Sequence, residues 1–161
     1  MADPIKNISI INMHRNSPGI VFGDVWYGAA GECGPRIQQE YQLVIVHLGE
    51  ANVSVDSGKC LISPGSVALM MPGHREHFHF SKQHRTHHSW CSVHPSLVPG
   101  SLRKRLAKLP PVQVQSQTFD LLMKAAFGIR TWRRKEGQDM LRVLGLAVLE
   151  EYFRMAKAGV D

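Results

Sequence analysis

From Ile8 to Pro95 the chain is cut at short intervals by clusters of Gly, Pro, Asn, Asp and Ser, and the segments between them are short and apolar. Such punctuation leaves no room for long helices and calls for an all-β barrel or sandwich. Strands are expected over residues 8–13, 20–27, 41–48, 51–55, 59–62, 66–71, 77–80 and 86–94. The joints between them are Gly28-Ala29-Ala30-Gly31, a turn over 31–35, Gly49-Glu50, Asp56-Ser57-Gly58, Ser63-Pro64-Gly65 and Pro72-Gly73. Glycine supplies the left-handed backbone that tight turns need, and Pro64 presets φ for its turn. In the clearest central strand, Tyr41, Leu43, Ile45 and His47 share one face, and Gln42, Val44, Val46 and Leu48 share the other.

After Pro95 the pattern changes. A linker over 96–100 precedes a short helix over 102–109, which Pro110-Pro111 ends. From Thr118 the apolar period becomes helical through Phe119, Leu122, Met123 and Ala126, with Ser116 or Thr118 as the cap. A second helix is expected over 139–157, capped by Asp139. The fold class is therefore mainly β with C-terminal α. Residues 1–95 form the barrel unit, and residues 96–161 form a linker and helical region. The last helix carries two apolar stripes: Leu141, Leu144, Val148, Tyr152 and Met155, then Val143, Leu146, Leu149 and Phe153. One stripe suffices to pack on a barrel, so the first is expected to meet the partner in a homodimer. The alternative is a helix buried between its neighbour and the barrel.

The charge is uneven. Of a net +6, residues 101–135 contribute nine basic and one acidic side chain, whereas residues 1–100 are balanced. That asymmetry suits nucleic acid or an acidic partner, but it lacks the aromatic and glycine pattern of a nucleic-acid module and equally suits a solvated helix face. Three cysteines, none in a C-x-x-C, give neither a disulfide framework nor a thiolate zinc site. Residues 1–15 do not read as a signal peptide, and no apolar run reaches the ~18 residues of a membrane span. A cytoplasmic protein without membrane contact is expected.

The order Gly49-Glu50, Asp56-Ser57-Gly58, Leu61 to Pro64-Gly65, the apolar run 67–71, then Pro72-Gly73 followed by His77, resembles the N-terminal arm of AraC-family transcription regulators. The strand over 89–94 with Trp90, stopped by Pro95, and the helices after it are similar to that family's as well. The resemblance covers roughly residues 15–160. It implies a cupin-type β-barrel (a jelly roll) followed by two or three helices, a small-molecule effector pocket in the barrel, dimerisation through the helices, and DNA contact through a C-terminal helix-turn-helix domain. That domain is not found in this sequence; the stretch 123–135 is rejected as a helix-turn-helix, because Lys124 sits where a small residue is needed.

Cupins can be metal enzymes, but their H-x-H-and-glutamate motif would fall at Pro35-Arg36-Ile37-Gln38-Gln39-Glu40-Tyr41, which has no histidine. Glu40 with His77 is not a triad for zinc or iron. Neither catalysis nor a cofactor is expected. Seven of the nine histidines nevertheless lie between 74 and 94. His77 and His79 share one strand face, and His88, Trp90, Ser92 and His94 share another. If those strands pair as a hairpin, the imidazoles converge to bind metal, sense pH or hold an anion; otherwise they form a polar, exposed edge. A cupin-fold metal-binding protein or enzyme using this hairpin is the alternative function. The effector-pocket candidates are Trp26, Tyr27, Arg36, Tyr41, His47, His79 and Trp90, an apolar aromatic lining with a few fixed polar groups. Arg36 either pairs with a carboxylate or stands at the rim in water.

Overall fold

The computed structural model describes residues 5–17, 19–129 and 135–158. Its order is β1 (Ile5–Ser17), β2 (Ile20–Ile37), β3 (Tyr41–Leu48), β4 (Ala51–Val55), β5 (Gly58–Ile62), β6 (Ser66–Met70), β7 (Arg75–Phe80), β8 (Thr86–Val93), α1 (Gly100–Leu106), β9 (Val112–Val114), α2 (Gln117–Ile129) and α3 (Lys135–Ala158). The strands pair in the order β5-β4-β7-β2-β8-β3-β6-β9, with β1 also on β2. Every pairing is antiparallel. The ends approach each other where β5 nears β6 and β9, so the sheet is a nearly closed barrel followed by helices.

One strand does most to shape the barrel. β2 is continuous where turns are expected at 28–31 and 31–35. Its first half pairs with β8, and its second half with β7. Between them the chain bends: Ala30 adopts φ 60° and its N–H donates to the Ser81 carbonyl at 2.7 Å. The small residues Gly28, Ala29 and Gly31 therefore let a strand cross from one side of the barrel to the other rather than end it. As a consequence β2 lies between β7 and β8, and the condition on which the imidazoles would converge, a β7–β8 hairpin, is not met.

Gly49 shows why one turn demands glycine. It has φ +81°, and a Cβ there would stand 2.8 Å from the Arg85 carbonyl oxygen. In the β4–β5 turn the left-handed residue is Asp56, at φ 49°, rather than Gly58. Its carboxylate accepts the Arg75 N–H and meets the His74 ring.

Two hydrophobic cores alternate across the barrel wall, as the period of two requires. Inside lie Val25, Tyr27, Val44, Val46, Ala68, Met70, Phe78 and Phe80. Outside, Ile20, Phe22, Tyr41, Leu43, Ile45, Cys91 and Val93 pack against Leu102 and Leu106 of α1, Phe119 and Met123 of α2, and α3. Leu141, Leu144, Val148, Tyr152 and Met155, the stripe expected at a dimer interface, are buried in this core within one chain. The helix is covered on two sides, by the barrel and by α2, which take up the first stripe together with Leu149 and part of Leu146, whereas Phe153 lies under the Arg105 guanidinium and Val143 is 61% exposed. Helix α2 is capped by Ser116, whose Oγ accepts the Phe119 N–H at 3.0 Å. Asp139 caps nothing, because α3 already starts at Lys135. β9, three residues after Pro110-Pro111, was not expected; it adds to the β6 edge. No described helix is long and apolar enough to cross a membrane.

Candidate functional site: a cavity inside the barrel

The inward faces of β2, β3, β7 and β8 enclose a cavity of about 390 Å³, within the range of small-molecule pockets. Its deep wall is aromatic. Tyr27 stacks on Phe80 at 4.0 Å between ring centroids, and both lie against the imidazole of His88, at 5.7 and 5.3 Å. Trp90 follows at 6.0 Å from His88. Val25, Val44 and Phe78 fill the spaces between, and Cys33 adds a thiol.

The mouth is polar and already wired together. Arg36 of β2 faces Glu76 of β7 across the register, and its Nε donates to Glu76 Oε1 at 2.8 Å. The same guanidinium donates to Gln42 Oε1. Gln38 Nε2 donates to Glu76 at 2.9 Å and to Gln42, and Gln42 Nε2 reaches the Ser92 hydroxyl. Arg36 is 35% exposed, while Glu76 is 1% exposed. Burial holds the Glu76 carboxyl above its usual range even with Arg36 beside it. The second oxygen, Oε2, is buried with no hydrogen bond among the described residues. Removing Arg36 leaves that carboxylate uncompensated. Arg36→Met is therefore expected to cost about 3 kcal/mol at neutral pH, measured by urea unfolding; a loss below about 1 kcal/mol would show that Gln38 alone holds the charge.

His88 is the imidazole of the cavity. Both ring nitrogens are buried without a well-formed hydrogen bond among the described residues. Burial lowers its pKa to about 3, the Ser89 backbone offsetting part of the shift. It enters the fold as a neutral ring, with one N–H and one lone pair, both buried.

Of the residues expected in the pocket, the structure brings together Tyr27, Arg36 and Trp90. The others lie elsewhere. Tyr41 is on the helix-facing side of β3. His47 shares that side, and its Nε2 meets Ser89 Oγ at 2.6 Å. Trp26 points outward, stacked on His87 at 4.4 Å and covered by the Arg85 guanidinium at 4.7 Å. His79 is on the outer face of β7. His94 has left the β8 face and caps the turn after it, accepting the Ser96 N–H. Ser81, just after β7, is buried, and its Oγ accepts the N–H groups of Gln83 and His84. Gln38, Gln42, His88 and Ser92 are among the lining residues the pocket reading missed, as are Phe78 and Phe80. Gln42, on the same strand face as Val44 and Val46, was the available signal.

The interior does not fit the metal centre of a cupin. His88 is the one imidazole lining the cavity among the described residues, and it belongs to no group of three or more metal-ligating side chains.

A nearly closed antiparallel barrel of this order, with C-terminal helices, is a cupin fold. Within it the chain belongs to the AraC-like ligand binding domain family, whose sequence profile matches residues 22–142. Among solved structures, the AraC-like transcriptional activator CuxR superposes with a TM-score of 0.65 at 10% identity, over 91% of this chain and 55% of that one. The chain thus spans about half the length of that activator. A cupin-2 domain from Rhodospirillum rubrum superposes at 0.50 and 13% identity, over 91% of this chain and 84% of its own. A double-stranded β-helix cupin from Methanocaldococcus jannaschii reaches 0.50 at 7% identity, over 55% and 83%. At such identities these likenesses show the fold alone. No curated protein matches by sequence.

Proposed function

We propose that this chain is the effector-binding module of an AraC-type transcription regulator, acting in the cytoplasm without catalysis of its own. The observation that carries the reading is the aromatic cavity with its polar mouth, inside the barrel of a ligand-binding family. The Arg36–Glu76 pair cancels its own charge. The effector is accordingly a neutral, polar organic molecule with a flat face for Tyr27, Phe80 and Trp90, rather than a small anion. Occupancy favours one arrangement of the barrel against α3 only by its differential affinity for that arrangement. A second copy docks on the apolar side chains α3 leaves exposed, Met140 and Val143, and DNA is read by a part of the regulator outside the barrel and its helices.

Thermal unfolding with a panel of nucleosides, sugars and neutral aromatic compounds tests the pocket. At least one should raise the transition at a concentration about 100-fold above its Kd, a gain of about 2.7 kcal/mol, and Trp90→Ala should abolish the gain while the unliganded protein still folds. A panel without any stabiliser, or one whose effect survives Trp90→Ala, would sink the cavity as effector site. The dimer has its own test: sedimentation at tens of micromolar should give two copies, reduced to one by Val143→Glu. A wild-type monomer under those conditions removes the dimer claim.

A further inference from the structure

The outer face of the barrel holds a second constellation, unconnected to the cavity. Along β7, Glu76, Phe78 and Phe80 are buried inward, so His77 and His79 project together from the opposite face. Glu32 of β2 is the register partner of His79. Its Oε2 lies 3.2 Å from His77 Nε2, and its Oε1 lies 4.0 Å from His79 Nδ1. The two imidazole rings lie 4.0 Å apart between centroids. One ligand atom from each of the three side chains falls within 4.8 Å of the other two.

We propose that Glu32, His77 and His79 form a site for a divalent transition metal of the zinc class. Two imidazoles and one carboxylate suit zinc, cobalt(II) or nickel and not magnesium or calcium, which take oxygen ligands. Metal–ligand bonds of ~2.0–2.2 Å place tetrahedral donor atoms roughly 3.4 Å apart; the spacings here run up to 4.8 Å, so the side chains must rotate inward to take an ion. β7 is hydrogen-bonded on both sides, to β2 and to β4, so the backbone under the two imidazoles is held in place. His77 and Glu32 are half-buried and His79 is 47% exposed, so the ion has an entry path and keeps a fourth position for water or a group from another molecule. The site is not a relic of a cupin metal centre, since it lies on the other side of the barrel wall. It pins β2 to β7 on the face opposite Glu76 and Phe78, and an ion there stiffens one wall of the cavity without touching its contents.

Protein prepared without a polyhistidine tag and stripped with a chelator tests the site, with zinc chloride as the probe in titration calorimetry and cobalt(II) absorption reporting a nitrogen- and oxygen-ligated ion. One equivalent should bind, and zinc should raise the thermal transition. His79→Ala and Glu32→Gln should each weaken binding about tenfold or more, while His84→Ala, in the exposed β7–β8 loop, leaves it unchanged. His79→Ala removes an exposed ring, so its metal-free melting temperature should match the wild type; if Glu32→Gln disturbs the fold, His77→Asn is read in its place. Failure to bind one equivalent overturns the proposal, as does binding that survives His79→Ala or falls equally with His84→Ala. Neither result bears on the effector cavity, which the ligand panel and Trp90→Ala test separately.

Discussion

Replacing Gly145 by leucine is expected to destabilise the protein by about 3 kcal/mol, the upper end of what overpacking a filled core costs. Gly145 is the point where α3 touches the barrel. A Cβ there would stand 2.6 Å from Ile20 Cδ1, 3.3 Å from Ile20 Cγ2 and 3.5 Å from Val93 Cγ2. Ile20 and Val93 are both wholly buried and have nowhere to retreat, so the longer side chain must push the helix off β2 and β8 and open the core shared with Leu141 and Val148. Gly145→Ala meets the same atoms with one carbon and gains helix propensity of about 1 kcal/mol, so a smaller loss is expected. Gly128, also helical, has nothing within 4 Å of its would-be Cβ; Gly128→Ala should therefore stabilise, by up to about 1 kcal/mol. Urea unfolding of the three variants is the measurement. Equal effects at the two positions, or a Gly145→Leu variant within about 1 kcal/mol of wild type, would mean that α3 is not held as tightly as its contacts show.

Gly145 also illustrates what the sequence does and does not reveal. The helix was legible from its apolar spacing, and so was its excess of apolar surface. Its partner was not, because burial against a barrel and burial against a second chain demand the same residues. The turns were legible for a stronger reason: Gly49, Pro64-Gly65 and Pro72-Gly73 stand where backbone sterics admit few alternatives. The same logic misled at Gly28 to Pro35, where small residues permit a bend inside a strand as readily as a turn between two. β9 escaped notice because three residues after two prolines carry no period to read.

The cavity was legible by halves. Strand parity separates Gln42, Val44 and Val46 from Tyr41, Leu43 and Ile45, but both sets are apolar enough to face inward, and only the helices decide which does. They cover the Tyr41 face, and that single choice places Tyr41 and His47 outside the barrel. On β2 it places Trp26 outside and Tyr27 inside. The Arg36–Glu76 pairing joins residues forty apart in sequence, on the half of β2 beyond the bend that the local pattern concealed. His88 shares its strand face with Trp90 and Ser92, so its inward direction followed once either of them was known to line the cavity.

That inward histidine sets the second large effect, on stability against pH. In the unfolded chain His88 has its ordinary pKa near 6.5, whereas in the fold burial lowers it to about 3. The folded-state value is depressed, so the native state binds fewer protons than the unfolded state between those two values. Above pH 6.5 the ring is neutral in both states and contributes no pH dependence. As pH falls below 6.5, the unfolded chain takes up a proton that the cavity refuses, and stability declines by about 1.4 kcal/mol per pH unit until the folded-state value is approached. Other histidines and carboxylates add their own slopes, so the contribution is read as a difference. His88→Phe keeps a flat ring against Tyr27, Phe80 and Trp90 but removes the titration. Urea unfolding free energies of wild type and variant at pH 7, 6 and 5 should differ by an amount that changes little down to pH 6.5 and then shifts in favour of the variant by about 1.4 kcal/mol per unit. Parallel curves over that range would mean that His88 takes up its proton in the folded state, which requires an acceptor or water at the ring and so a wetter cavity than the packing of Tyr27, Phe80 and Trp90 describes.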